Sequence, residues 1–222
     1  MNQQQLMGLS RPPLQAIGQH WLQPAAAAAF LAMQHAAAAD GLQLKIASSY
    51  RDFANQQRIW QAKLANQRPV FDRAQQRMDL TALGEREKLY AILHFSALPG
   101  TSRHHWGTDL DIFDSAAIAA DYQLQLTPAE YQTGGPFAKL DQWLSQHASR
   151  FGFFRPYQID QGGVAIEPWH LSYRPLAAQY LRRYDIAELL AAHQQYSLFP
   201  DDLLRQEIQL IMSQYVLNIW DQ

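Results

Sequence analysis

Residues 42 to 64 change their hydrophobic period once and abruptly. Leu42, Leu44 and Ile46 alternate with Gln43, Lys45 and Ala47, the period of two that belongs to a half-buried strand. From Asp52 the spacing becomes helical, with Phe53, Ile59, Trp60 and Leu64 on an interrupted apolar face and Asp52 placed to cap the first turn. Between them lies Ser48-Ser49-Tyr50-Arg51, a polar segment at the strand's end. A half-buried strand that feeds directly into a helix needs a sheet with one apolar face and helices laid over it, which points to an α+β fold.

The rest of the chain agrees with that architecture. Pro24 can open a helix because its missing N–H would be unpaired there anyway, and the alanine-rich run to Ala39 sustains one until Asp40-Gly41 stops it. Residues 65 to 84 are rich in Gln and Arg and read as a long surface excursion, followed by a short helix from Glu85 to Ser96. Tyr122, Leu124 and Leu126 alternate as a strand would, and Thr127-Pro128-Ala129-Glu130 has the spacing of a capping box. A helix from Phe137 to His147 follows, Gly162-Gly163 turns the chain into residues 164 to 173, and the tail from Pro175 is helical in pattern. The expectation is a small, mainly antiparallel sheet flanked by helices. One domain over residues 1–222 is the simplest count, with a motif-bearing core at about 42–173, a helical segment at about 20–40 and a helical C-terminal extension at about 175–222.

The chain contains no cysteine and eight histidines, so a disulfide scaffold and a thiol nucleophile are excluded and any metal must be held by His, Asp or Glu. Its formal charge of −2, with scattered Arg and Lys, offers no broad attraction for nucleic acid or anionic membrane, and neither is expected as a partner. The N-terminus lacks the basic start and apolar stretch of a secretory signal, and the alanine run is too short and weakly apolar to span a bilayer; a cytoplasmic location is expected.

Two segments carry the chemistry. In Ser102-Arg103-His104-His105-Trp106-Gly107-Thr108-Asp109-Leu110-Asp111, a turn at Gly107 can return a loop histidine beside a carboxylate on a following strand, Leu110 to Phe113. In Glu167-Pro168-Trp169-His170, Pro168 holds Glu167 extended and argues against a helical metal motif. A regular strand would point Glu167 and His170 to opposite faces, so their joint use requires a twist or a loop entry. Two imidazoles and one carboxylate with an open position suit catalytic zinc, whose bound water falls in pKa from 15.7 to about 7. Glu167 is then available to accept a proton, and Arg51 to stabilise an oxyanion or hold a substrate carboxylate.

The arrangement S-x-Y-R at 48–51, S-x-H-x-x-G-x-x-x-D at 102–111 and E-x-W-H at 167–170 resembles the VanY-type zinc D-Ala-D-Ala carboxypeptidases, in the same order along the chain. The resemblance covers residues 42 to 173. It implies that His104, Asp111 and His170 bind Zn2+, that Glu167 is the catalytic base and that Arg51 serves catalysis. It also implies that Gln56 faces substrate and that Ser102, Trp169 and Tyr50 take part in the cleft. Two positions depart from the family's pattern: Ser49 stands where glycine is usual, and Asp109 where alanine is usual. On a strand Asp109 shares a face with Asp111, where it could hydrogen-bond a ligand imidazole, bind substrate or turn to solvent; the first reading is preferred.

The resemblance implies a hydrolase that removes terminal D-alanine from peptidoglycan stem peptides or muropeptides; for the assembly, both a monomer and a homodimer stay open. With a cytoplasmic location, L,D-carboxypeptidase action on tetrapeptides, as in murein recycling, is favoured over D,D-carboxypeptidase action on pentapeptides. A reading of another class is a zinc-containing binding module without catalysis, against which Glu167 argues. The remaining histidines have bland readings. His105 is expected to be an exposed neighbour of His104, while His20, His35, His94, His147 and His193 fall on helical patterns.

Overall fold

The computed structural model describes residues 1–196 and 198–220. In chain order the elements are α1 (Gln3–Leu6), β1 (Gln15–Ile17), β2 (His20–Leu22), α2 (Pro24–Ala39), β3 (Leu44–Ser48), α3 (Phe53–Leu64), β4 (Val70–Phe71) and β5 (Arg77–Met78). They continue as α4 (Glu85–Leu93), β6 (Asp109–Asp114), α5 (Pro128–Tyr131), α6 (Ala138–His147), β7 (Phe153–Phe154), β8 (His170–Tyr173), α7 (Arg174–Tyr180), α8 (Ile186–Tyr196) and α9 (Asp201–Ile211). A 3-10 turn, Arg103–Trp106, precedes β6.

The central sheet has the order β3-β6-β8-β7 and is antiparallel throughout. Period two divides it chemically. Leu44, Ile46, Leu110, Ile112 and Leu171 enter an apolar core with Phe30 and Met33 of α2 and Leu140 and Leu144 of α6. Asp109 and Asp111 of β6 and His170 and Ser172 of β8 are the polar residues that alternate with them, and the register sets Asp111 opposite His170 and Asp109 opposite Ser172. Between Ile46 and Ser48 the register shifts by one residue, a bulge that brings Ser48 opposite Asp111 on its other side.

A second apolar core joins Trp60 of α3, Leu89 and Ile92 of α4, Leu189 of α8 and Leu204, Ile208 and Ile211 of α9, which absorbs the apolar stripe of the C-terminal extension. The caps follow the sequence. Asp52 accepts from Asn55 N–H at 2.7 Å, and Glu130 accepts from Thr127 N–H at 2.8 Å.

The α+β architecture with a helical extension is as expected, but several local readings are not. The N-terminal segment opens with a hairpin, so His20 lies on β2 rather than a helix. The 65–84 excursion contains a second hairpin, β4–β5. Tyr122, Leu124 and Leu126 form no strand. Their segment curls around the Glu130 carboxylate, which accepts from Tyr122 Oη at 2.8 Å and Gln125 N–H at 3.1 Å and so replaces the partner strand that alternation implied. Ser197 and the last two residues of the C-terminal extension lie outside the described residues.

Candidate metal centre and active-site cleft

Each chemical group is delivered by a specific local device. Gly107, in the left-handed region at φ 67°, ends the 3-10 turn and swings the chain into β6, which places His104 over Asp111. Residues 167–170 form a β-turn: His170 N–H donates to Glu167 C=O at 3.1 Å, with Pro168 at the second position, where its fixed φ is favoured. The turn folds Glu167 back toward His170, and their side chains approach to 3.5 Å. This is the loop entry that a straight strand would have denied.

His104, Asp111 and His170 are buried and offer donor atoms that all lie within 4.8 Å of one another. His104 Nε2 stands 3.4 Å from Asp111 Oδ2, and His170 Nδ1 stands 3.2 Å from Asp111 Oδ1. Donors held at about 2.0–2.1 Å around a tetrahedral zinc would be about 3.3–3.4 Å apart, close to both separations. The opposite ring nitrogens are already committed: His104 Nδ1 donates to Ser49 C=O at 2.9 Å, and His170 Nε2 to Asp109 Oδ2 at 3.0 Å. In the neutral rings this turns a lone pair of each toward the carboxylate, whose Oδ1 is buried without a hydrogen bond. Lone pairs facing a carboxylate at such distances fit a shared cation, and the N,N,O set fits zinc.

The electrostatics of the metal-free cluster are divided. Burial lowers His104 to about 3, which keeps it neutral. Burial also works against a charge on His170, but the hydrogen bond to Asp109 and the negative charges of Asp109 and Asp111 override it and raise the ring to about 10. Glu167 is raised to about 7, chiefly by burial and further by Asp111, against His170, Arg51 and Lys63.

Asp109 is fully buried and accepts four hydrogen bonds: Arg103 Nε at 2.8 Å, His170 Nε2 at 3.0 Å, Thr108 Oγ1 at 2.7 Å and Ser172 Oγ at 2.9 Å. Burial would raise its pKa, yet Arg103 first and then His170 hold it well below the usual carboxylate range. Arg103 is itself buried, lies over Trp106 with 4.7 Å to the ring centroid, and also donates to Ser172 Oγ at 2.6 Å.

A cavity of about 410 Å³ opens onto the cluster and is lined in part by Arg51, Gln56, Ser102, His104, Asp111, Glu167, Trp169 and His170. Arg51 donates to Gln56 Oε1 at 2.7 Å and Ser48 Oγ at 2.9 Å, while Gln56 Nε2 donates to Ala97 C=O at 2.7 Å. The Gln56 amide thus orients Arg51. Trp169 is both core and wall, packing on Tyr131 at 5.7 Å between centroids. Tyr50 is not among the lining residues, and its N–H turns to Trp21 C=O at 3.1 Å. His105 corrects its reading as an exposed neighbour. It is fully buried, with Nδ1 donating to Arg51 C=O at 2.6 Å and Nε2 accepting from Gly100 N–H at 3.1 Å.

Three contributors escaped the sequence. Tyr157 lines the cavity with its ring 5.0 Å from that of His170, and Lys63 and Arg68 line the same cleft. None sits in a motif; only the lysine's place seven residues beyond Gln56 on α3 hinted at a shared face.

Residues 19–176 match the family model of VanY, D-alanyl-D-alanine carboxypeptidase. A protein of Haemophilus influenzae described as uncharacterized is 35% identical over 122 residues, 54% of this chain and 93% of that relative. The D-alanyl-D-alanine carboxypeptidase of Enterococcus faecalis is 33% identical over 141 residues, 62% of this chain and 42% of that protein, so the match spans less than half of the longer relative. Among solved structures, a Glu-to-Ala mutant of the vancomycin-resistance D,D-pentapeptidase VanY in complex with Zn(II) is 25% identical, with a TM-score of 0.53 over 82% of this chain and 90% of that one. The LdcB LD-carboxypeptidase shares the fold at a TM-score of 0.54 and 21% identity, over 89% of this chain and 80% of that one. A family match running through both histidine segments, on the fold of those structures, makes this chain a member of the VanY D-alanyl-D-alanine carboxypeptidase family.

Proposed function

We propose that the protein is a zinc-dependent L,D-carboxypeptidase that removes terminal D-alanine from peptidoglycan stem tetrapeptides and so serves their recycling. The observation that carries the proposal is the triangle of His104, Asp111 and His170 with Glu167 beside it, in a family whose solved VanY member is bound to Zn(II). Zinc held there would supply a Lewis acid and acidify a water. The chain's own groups complete the chemistry. Glu167, near neutrality in its proton affinity, takes the proton of the attacking water and delivers it to the leaving nitrogen as the C–N bond breaks. Arg51, held by Gln56 and Ser48, meets the negative charge that develops on the carbonyl oxygen. Asp109 keeps the His170 ring in one tautomer and one orientation. Tyr157 covers the edge of that ring and narrows the cleft.

The L,D reading is supported by the cleft beyond Arg51, where Lys63, Arg68, Gln75 and Gln125 line the cavity. Such a surface suits a long, polar side chain preceding the cleaved bond better than the methyl group of D-alanine. The D,D alternative on pentapeptide is tested in the same experiment. Zinc-loaded protein is incubated separately with tetrapeptide and pentapeptide muropeptides and the products are weighed by mass spectrometry. Tripeptide from tetrapeptide supports the proposal; faster release of D-alanine from pentapeptide reverses the specificity. Cleavage of neither would favour a zinc-containing binding module.

A further inference from the structure

The cleft holds more positive charge than hydrolysis of one bond requires. Arg51, Lys63 and Arg68 all line it, and among the described residues none of the three forms a salt bridge with a carboxylate. Arg51 is held by neutral side chains, and Lys63 Nζ donates to Ser96 Oγ at 2.6 Å. The carboxylates of the same cavity, Asp111 and Glu167, belong to the metal cluster and its base. Burial above all lowers Lys63 to about 8; Glu167 pulls the other way, and the cations Arg68 and Arg51 add to the lowering.

The spacing says what kind of anion is missing. Gln56, which carries Arg51, and Lys63 share a face of α3 seven residues apart, a rise of about 10 Å at 1.5 Å per residue. An extended peptide advances about 3.3 Å per residue, so with the reacting carbonyl at Arg51 the carboxylate of a one-residue leaving group stops well short of Lys63. A carboxylate on a long side chain next to the cleaved bond, or on the residue before it, can reach it.

Resting on the peptidase reading above, we infer that Lys63 and Arg68 form a second anion subsite. It binds a substrate carboxylate other than the terminal one, within about three residues of the cleaved bond. The preferred substrate is then a stem peptide bearing an additional free carboxylate at its third or second residue.

Three tetrapeptides with the same terminal D-alanine test this. The first has diaminopimelate at the third position, the second has lysine there, and the third keeps diaminopimelate but has the α-carboxylate of the D-glutamate at position two amidated. For the zinc-loaded enzyme kcat/KM should favour the first over one of the other two by about tenfold or more, the scale of one charge-assisted hydrogen bond. Loss with lysine assigns the subsite to the third residue, and loss with the amide to the second. In the double variant Lys63→Met, Arg68→Gln the ratio should fall to within about twofold, whereas Lys63→Arg should keep it. Calorimetric binding of the same peptides to zinc-loaded Glu167→Gln gives the ratio independently of turnover. If nothing is cleaved, the peptidase reading fails, and the calorimetric ratio still decides on the subsite. Equal handling of all three peptides, or equal slowing of all three by the double variant, overturns the inference.

Discussion

Replacing Asp109 by Asn removes one charge from a place where no solvent can compensate. The side chain is fully buried and accepts hydrogen bonds from Arg103, His170, Thr108 and Ser172 at 2.7–3.0 Å. Arg103 has no other salt-bridge partner among the described residues and is itself buried, so Asp109→Asn strands its guanidinium in the interior. Breaking a buried pair from one side costs about 3–5 kcal/mol. For a chain of this length about 2–4 °C of melting temperature is lost per kcal/mol, so a fall of about 6–20 °C is expected. Zinc affinity should drop as well, about 10- to 100-fold, because His170 exchanges an anionic acceptor for a neutral amide that holds its tautomer less firmly. Urea and thermal unfolding of the metal-free protein read the first effect, and competition with a chromophoric chelator reads the second. The control is Arg103→Met in the same background. With the orphan charge gone, much of the lost stability should return, giving a large coupling in the double-mutant cycle. A loss below about 1 kcal/mol for Asp109→Asn, or a second substitution that merely adds to it, would refute the buried-pair reasoning.

Glu167→Ala should retain zinc and the melting temperature while kcat falls at least about 10²- to 10⁴-fold, the contribution of a positioned proton carrier; near-normal turnover would sink that role. Zinc binding should release about one proton at pH 7.5, because the two carboxylates hold a proton on metal-free His170 up to about 10. Since that proton must leave, apparent affinity should rise about tenfold per pH unit from near pH 7 toward 9; calorimetry in buffers of different ionisation enthalpy would show no such release from a ring of ordinary pKa. His105→Ala should leave Arg51 C=O and Gly100 N–H without their side-chain partner, lowering kcat more than zinc affinity; an unchanged kcat would remove His105 from the support of Arg51. Gly107→Ala should destabilise the protein by about 1–2 kcal/mol, because that residue sits at φ 67° and a Cβ there would meet Leu14 Cδ2 at 2.6 Å; a full-stability variant by urea titration would contradict it.

The parts of this protein legible from its residues are those governed by short-range chemistry. Asp52, Asp40-Gly41 and Thr127 to Glu130 announced helix boundaries because a cap is satisfied within a few residues. The strand at 44–48 showed in the alternation of residues 42–47 and the one at 109–114 was expected over 110–113, while the three motif segments stood out by their order and spacing, which resemble those of the VanY-type carboxypeptidases. Tyr122 to Leu126 misled because alternation reports only which side chains turn inward: a loop wound around Glu130 half-buries Leu124 and Leu126 and leaves Tyr122 exposed, with its hydroxyl on the carboxylate and no partner strand. His105 misled because its two partners, Arg51 and Gly100, are brought to it by the fold.

Sequence by itself determined the types of donor available, the absence of thiols, the glycine that bends the chain before β6 and the proline that turns Glu167 toward His170, since each acts through its own backbone or side chain. Only the tertiary structure decided that Asp109 is neutralised by Arg103, that Gln56 is spent on Arg51, and that Lys63 and Arg68 share a cleft with the metal cluster. These are matters of pairing across long stretches of chain under low dielectric, where a charge's role depends on which groups the sheet and helices bring within about 4 Å of it.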